Sequence, residues 1–441
     1  MEITILDKIV DRRNLSEAVE KVKENKGAPG IDKKTVFELD GYFDKHGKEL
    51  IQAIREGTYK PAPVRRTYIP KANGSLRPLG IPTVVDRVVQ QAIAQVLTDI
   101  YDEDFSENSF GYRLNMDCHL AVAQAIDTIN EGYSWIIDLD IEKFFDTVNH
   151  DKLISILREK INDKKTLVLI RSFLKAGIME KGLVSPSELG VPQGGPLSPI
   201  LSNIYLDKLD KELEARGLRF CRYADDCVIL VKSEMAANRV KESICWWIER
   251  KLFLKVNATK TKVVTPTKCS FLGFTFWKSG QEWECRPLPD RKKRLEGKVK
   301  EALRRKHARL YSLGEMTIKV NQIVKGWINY YSLGFMKTYL KEEFGPWLRH
   351  RYRMIILLQW KRPRTIFRNL KKINNMIGGG FSDKEILKVA CTRKGPYAQS
   401  NGDVINFILN PKVLATGNSK LKRPGLVDPL QYYIVKHQRF A

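Results

Sequence analysis

Phe220-Cys221-Arg222-Tyr223-Ala224-Asp225-Asp226-Cys227-Val228-Ile229-Leu230-Val231 decides the reading of this chain. Two apolar, β-rich runs flank a tight turn, and both can pair and be half buried. The turn carries two adjacent carboxylates, Asp225 and Asp226. Acids at the tip of an apolar hairpin suffer desolvation and mutual repulsion unless cations sit beside them. Alone, an Asp-Asp turn is more simply a solvated hairpin. A second acid-bearing stretch upstream changes that reading. Trp135-Ile136-Ile137-Asp138-Leu139-Asp140 is apolar with acids at alternate positions, so Asp138 and Asp140 share one strand face. Laid side by side, the strands set Asp140 next to Asp225 and Asp226. Three converging carboxylates suit Mg²⁺, which takes oxygen ligands, keeps waters and accepts substrate phosphates. Two-metal nucleotidyl transfer needs such a set: one ion for the primer hydroxyl, one for the leaving phosphates.

The chain has 441 residues, 43% of them hydrophobic and 10% aromatic, enough for two or three domains with true cores. A formal charge of +25 calls for a polyanionic partner. No long apolar run or signal-peptide pattern occurs, so no membrane partner is expected and a cytoplasmic setting fits. The seven cysteines are scattered without a CxxC pair, which supports neither a zinc ribbon nor a disulfide framework.

Residues 8–24 read as a basic helix, ended by the Gly/Pro loop Lys26-Gly27-Ala28-Pro29-Gly30. That loop is either a plain connector or, through Lys26, a nucleic-acid contact. Residues 64–79 read as a hairpin turning at Asn73-Gly74, with Lys71 and Arg77 on its arms. A triphosphate needs such cations, although two surface charges would look the same. Residues 85–100 carry a helical apolar stripe, and residues 120–129 a further helix. Between them Ser109-Phe110-Gly111-Tyr112-Arg113 is a packing turn or a platform for template bases. After Asp140 come Phe144 and Phe145, one core and one able to wall a nucleotide sugar. His150 reads as a hydrogen bonder at a helix start, not a ligand. Gly190-Val191-Pro192-Gln193-Gly194-Gly195-Pro196 opens an apolar helix, a place that tolerates close backbone approach and favours anions. Gln193 is positioned there for a base or sugar.

Beyond the Asp-Asp turn, residues 237–252 read as a covering helix. Residues 254–264 read as a basic strand region that includes Lys260. Phe271-Leu272-Gly273-Phe274-Thr275-Phe276 reads as an aromatic hairpin, either sheet core or, with Gly273 at a close approach, a grip on a primer backbone. Past residue 286 strand signals fade and Lys/Arg rise. Residues 291–311 read as one basic helix, and residues 320–331 as a strongly amphipathic one. A third helix carries Arg349, Arg351 and Arg353, a solvated face or a phosphate-binding one. The last stretch is basic and weakly patterned, with Gly378-Gly379-Gly380 as a loop.

The order of residues 136–140, 190–199, 222–226 and 271–274 resembles that of reverse transcriptase motifs. The wording of Pro192-Gln193-Gly194-Gly195-Pro196-Leu197-Ser198-Pro199, of Phe144-Phe145-Asp146-Thr147-Val148-Asn149-His150-Asp151 and of Arg222-Tyr223-Ala224-Asp225-Asp226 is similar to group II intron-encoded reverse transcriptases. Gly326-Trp327-Ile328-Asn329-Tyr330-Tyr331 resembles their maturase region. The resemblance implies an α+β right-hand polymerase: fingers and palm with an antiparallel sheet over residues 1–285, then an α-helical thumb or maturase domain over 286–375. Residues 376–441 would form a basic, nucleic-acid-binding extension. It implies two Mg²⁺ ions, with Mn²⁺ as a substitute, on Asp140, Asp225 and Asp226 as catalytic ligands. It implies nucleotide contacts at Lys71, Arg77, Phe145 and Gln193. Nucleic-acid contacts are expected at Lys26, Arg113, Lys260, Gly273, Arg349, Arg351 and Arg353. Expected partners are intron RNA, an RNA template, a DNA primer or target and dNTPs. A lone Cys391 in the tail gives no endonuclease pattern, which resembles the short class C members. Rival readings are a reverse transcriptase recruited to host defence or repair, and a maturase that only binds RNA and assists splicing.

Overall fold

The computed structural model describes residues 3–70, 74–186, 188–417 and 424–437. They gather into two compact units, Met1–Leu272 and Gly273–Ala441. The first unit contains β1 (Val64–Pro70), β2 (Leu76–Ile81), β3 (Trp135–Asp140), β4 (Ile178–Glu180), β5 (Leu183–Ser185), β6 (Arg219–Tyr223), β7 (Asp226–Val231) and β8 (Lys262–Val264). These strands make two four-stranded sheets, ordered β2-β1-β4-β5 and β6-β7-β3-β8.

The second sheet carries the acids. β3 is antiparallel to β7 on one side and to β8 on the other. Ile136, Ile137 and Leu139 of β3 are buried, as are Val228, Ile229 and Leu230 of β7. Strands covered on both faces read as near-continuous apolar runs, which explains why these two segments were so conspicuous. Helices Val84–Tyr101, Leu197–Ala215 and Glu234–Trp247 are among those that complete the core of this unit. The hairpin expected over residues 64–79 forms, with Ile69 opposite Arg77. β4 and β5 were too short to be seen in the sequence; β4 lies parallel to β1. The basic strand region expected over 254–264 shortens to β8, because residues 257–261 fold into a turn.

The second unit opens with the hairpin of β9 (Phe274–Ser279) and β10 (Glu282–Pro287). The run 271–276 is thus the lead into β9, not a hairpin in itself. The Phe274 ring lies 6.0 Å from Tyr330 and 5.0 Å from Tyr331, and Phe335 N–H donates to Cys285 O at 2.8 Å. These contacts tie the hairpin to helix Leu313–Tyr331, so the units divide at 272/273 instead of the expected 285/286. The single helix expected over 291–311 is two, Pro289–Ala302 and His307–Leu310. The tail is more regular than its composition suggests. It forms helices such as Asp383–Ala390 and Pro429–His437, and it belongs to the same compact unit as residues 286–375. Among the described residues no helix is long and apolar enough to cross a membrane.

Candidate active site

β6 and β7 pair Tyr223 with Asp226, which leaves a two-residue loop, Ala224-Asp225. Ala224 takes φ +57°, the left-handed turn conformation that the twist of a tight hairpin favours. On the other side of β7 the register sets Asp140 opposite Asp226 and Asp138 opposite Val228. Strand pairing alone therefore sets Asp140 beside Asp226, with Asp225 in the adjoining loop. The electrostatics are those of a cation site. Desolvation raises the Asp225 carboxyl. Asp226 is open to solvent on one side, yet desolvation and then Asp225, Asp138 and Asp140 push it up to about 6. Asp138 also rises to about 6, through burial and Asp140.

Beneath the loop lies Arg222, fully buried. Its Nε donates to Asp210 Oδ1 at 2.7 Å and its Nη2 to Oδ2. Nη1 donates to Ala224 O at 3.0 Å and to Asn203 Oδ1 at 3.2 Å; Nη2 also reaches Ser109 Oγ at 2.7 Å. Burial opposes the charge on Arg222, but the Asp210 carboxylate outweighs it and raises the guanidinium. One buried ion pair thus holds the carbonyl next to Asp225. Gly111 presses on the same loop, where a Cβ would collide with Ala224 N. The sequence reading left the Asp210–Arg222 pair out; the signal was an Arg inside an apolar strand with an Asp on an apolar helix.

A cavity of about 610 Å³ opens beside Asp225. Arg77, Phe145 and Gln193 line it together with Tyr112 of the 109–113 turn, and with Arg87 and Gln91, which the sequence reading did not single out. Phe144 is the core member of the aromatic pair, 1% exposed, and Phe145 meets it edge-on at 5.2 Å. Gly194 sits at φ +116°, and a Cβ there would come within 2.6 Å of Gly80 O. The Gly-Gly loop therefore lies directly on β2, with Gly80 N–H donating to Gln193 O at 2.8 Å. That contact fixes Gln193 at the cavity wall. His150 is buried with Nε2 2.7 Å from Gly190 O, a structural hydrogen bond as read.

Lys71 lies outside the described residues. Lys26 is exposed at φ +46°, between Asn25 and Gly27, which line the cavity. Arg113 corrects an expectation. Its guanidinium is turned inward, to Asp102 Oδ1 at 2.9 Å and to the carbonyls of Ser106, Ser109 and Asp102, so it is not set to touch nucleic acid. Arg353 is a second correction: it is buried, donating to Leu409 O at 2.8 Å and Asn406 Oδ1 at 2.6 Å. Arg351 stacks on Trp347 at 4.9 Å, and Arg349 is half-buried. Gly273 sits at φ +84°, where a Cβ would come 2.8 Å from Tyr331 Oη. Lys260 is exposed, and its Nζ lies 3.1 Å from Asp140 Oδ2.

Among the described residues no three His, Cys, Asp or Glu side chains converge tightly enough to hold an ion as they stand. The donor chemistry nevertheless fits a hard divalent cation. All the donors are carboxylate oxygens, and burial first, then the neighbouring carboxylates, raise Asp225 and Asp226. Lys260 already supplies one positive charge there.

The profile described as "Reverse transcriptase (RNA-dependent DNA polymerase)" matches residues 69–276, and that described as "Group II intron, maturase-specific domain" matches 292–373. Protein YkfC of Escherichia coli (strain K12) is 34% identical over 289 residues, 56% of this chain and 76% of that protein. The chain belongs to the group II intron reverse transcriptase and maturase family. The group II intron-encoded protein LtrA of Lactococcus lactis is 41% identical over 208 residues, 46% of this chain and 34% of LtrA. The putative COX1/OXI3 intron 2 protein of Saccharomyces cerevisiae is 38% identical over 211 residues, 48% of this chain and 24% of that protein. The matched part of the chain thus spans about a third or less of these two intron proteins. Reverse transcriptases use divalent metal ions as a family. All but the last few residues of the reverse transcriptase match fall in the first unit, and the maturase-specific match falls in the second.

Proposed function

We propose that this chain is an RNA-directed DNA polymerase that extends a DNA primer on an intron RNA template. We propose also that it binds that RNA to assist splicing, within a bacterial-type cytoplasmic ribonucleoprotein. The observation that carries the reading is the register that sets Asp140 against Asp226, one residue from Asp225, on the rim of the Arg77–Phe145–Gln193 cavity. Asp140, Asp225 and Asp226 would hold two Mg²⁺, with Mn²⁺ as substitute, which activate the primer 3′-hydroxyl and neutralise the leaving pyrophosphate. The cavity takes the incoming dNTP. Arg77 offers a planar fork to its phosphates, Phe145 walls the sugar, and Gln193 meets sugar or base. Arg222 keeps the hairpin loop in place from below, so the chain's part is positioning and charge neutralisation. Intron RNA is bound by the basic second unit, with Arg362 and Arg364 exposed on it.

The test is Asp225→Ala. Primer extension should fall by about 10³-fold or more while RNA affinity stays near that of the parent chain. Retained extension would sink the assignment.

A further inference from the structure

The register of β8 against β3 sets Lys262 opposite Asp138. Two residues earlier, Lys260 comes level with Asp140. The spacing Lys-Thr-Lys at 260–262 thus answers Asp-Leu-Asp at 138–140, cation to acid. Lys260 Nζ reaches both oxygens of Asp140, at 3.1 and 3.4 Å. The turn that carries it is fastened to Asp140 itself: Asn257 N–H donates to Asp140 O at 2.9 Å, and Asp140 N–H to Thr261 Oγ1 at 3.2 Å. Lys260 N–H and Thr261 N–H both donate to Asn257 O, at 3.2 and 2.9 Å. A freely solvated lysine has no such mounting. The ammonium occupies the oxygens that a divalent ion needs, on the acid that stands opposite Asp226.

We propose that Lys260 is a built-in counter-ion that holds Asp140 while no metal is bound, and that a divalent ion takes Asp140 only by displacing it. The proposal rests on the metal reading above. By linkage, whatever the Lys260–Asp140 pair contributes to the protein without metal it subtracts from metal binding. The pair is 65% and 32% exposed, so the effect is modest. The gain in metal affinity on removing the ammonium should be about two- to fivefold.

The test uses the full chain at fixed pH and ionic strength, with Mn²⁺ alone as probe and free Mn²⁺ followed by electron paramagnetic resonance. Lys260→Met should bind Mn²⁺ about two- to fivefold more tightly than the parent. Lys260→Arg should stay near the parent. Lys255→Met removes the same charge from a lysine paired 3.4 Å from Glu142 and should change little. In urea with chelator, Lys260→Met and Asp140→Asn should be non-additive, which reads the pair with no metal present. Mn²⁺ affinity lost in Asp140→Asn but unchanged in Lys260→Met overturns the counter-ion role alone, as does an additive cycle. Mn²⁺ affinity unchanged in Asp140→Asn overturns the metal reading and this proposal with it.

Discussion

Arg222 in the first unit and Arg353 in the second are both buried, and they are held differently. Arg222, under the Asp225 loop, has a carboxylate partner in Asp210 and reaches Asn203, Ser109 and Ala224 as well. Arg353, on helix Gly345–Trp360, has no acid partner among the described residues: it reaches the Leu409 carbonyl and the Asn406 amide. Burial and the nearby Arg349 bring the Arg353 guanidinium down to about 10, whereas Asp210 raises Arg222. A buried guanidinium can thus be kept by a neutral set of acceptors or by an ion pair. The ion pair is the arrangement that costs most to break from one side, because the survivor is a buried, unpaired charge.

The largest effect should follow from breaking the first. Asp210→Asn leaves Arg222 charged and unpaired and should cost about 3–5 kcal/mol in urea unfolding. Primer extension should fall too, since Arg222 also holds the Ala224 carbonyl. A loss below about 1 kcal/mol would show that the pair is better solvated than its burial implies. The parallel change in the second unit is Arg353→Met. It removes charge and donor together and leaves two neutral acceptors, so the loss should be about 1–3 kcal/mol.

The same two regions show what was legible beforehand. In β3 and β7 a period of two fixes the face, and pairing fixes the neighbour, so Asp140 could be placed beside Asp226 from sequence alone. On a helix the pattern Arg349, Arg351, Arg353 behaves otherwise. Positions two apart point to nearly opposite sides, and positions four apart share a side. The three never formed one face: Arg351 goes to Trp347, while Arg353 goes inward. Arg113 and the Asp210–Arg222 pair were illegible for another reason. Their partners lie on separate elements, and a charge gives no sign of whether an acid will meet it there. The Lys-Thr-Lys answer to Asp-Leu-Asp was available and was not used.

RNA binding sharpens the contrast on the helical side. Arg353→Met should leave the salt dependence of RNA affinity unchanged, because its donors are already engaged inside the protein. Arg364→Ala, on the exposed start of helix Pro363–Met376, should lower the log–log salt slope by about 1. Filter binding between low and moderate salt reads both, and equal slopes for the two variants would erase the distinction between inward and outward arginines.

The smallest effect tests how completely Asp210 monopolises Arg222. Asp207 lies one helical turn before Asp210, with Oδ1 buried and without a hydrogen-bond partner among the described residues. Burial, then the neighbouring Asp210, push its carboxyl up to about 6, against Lys211, Arg222 and Lys208, which lower it. The folded value lies above the ordinary one of 3.8, so the folded chain binds this proton more tightly than the unfolded chain does. Its contribution to stability is therefore full below that ordinary value and lost as pH rises through about 6. Asp207→Asn has no such loss. Its unfolding free energy in urea, relative to the parent, should climb between pH 4.5 and 7.5, by about 1–2 kcal/mol once partial exposure is allowed for. A gap that stays flat or narrows with pH would mean that Arg222 serves both acids, and that the ion pair beneath the Asp225-Asp226 hairpin is a triad.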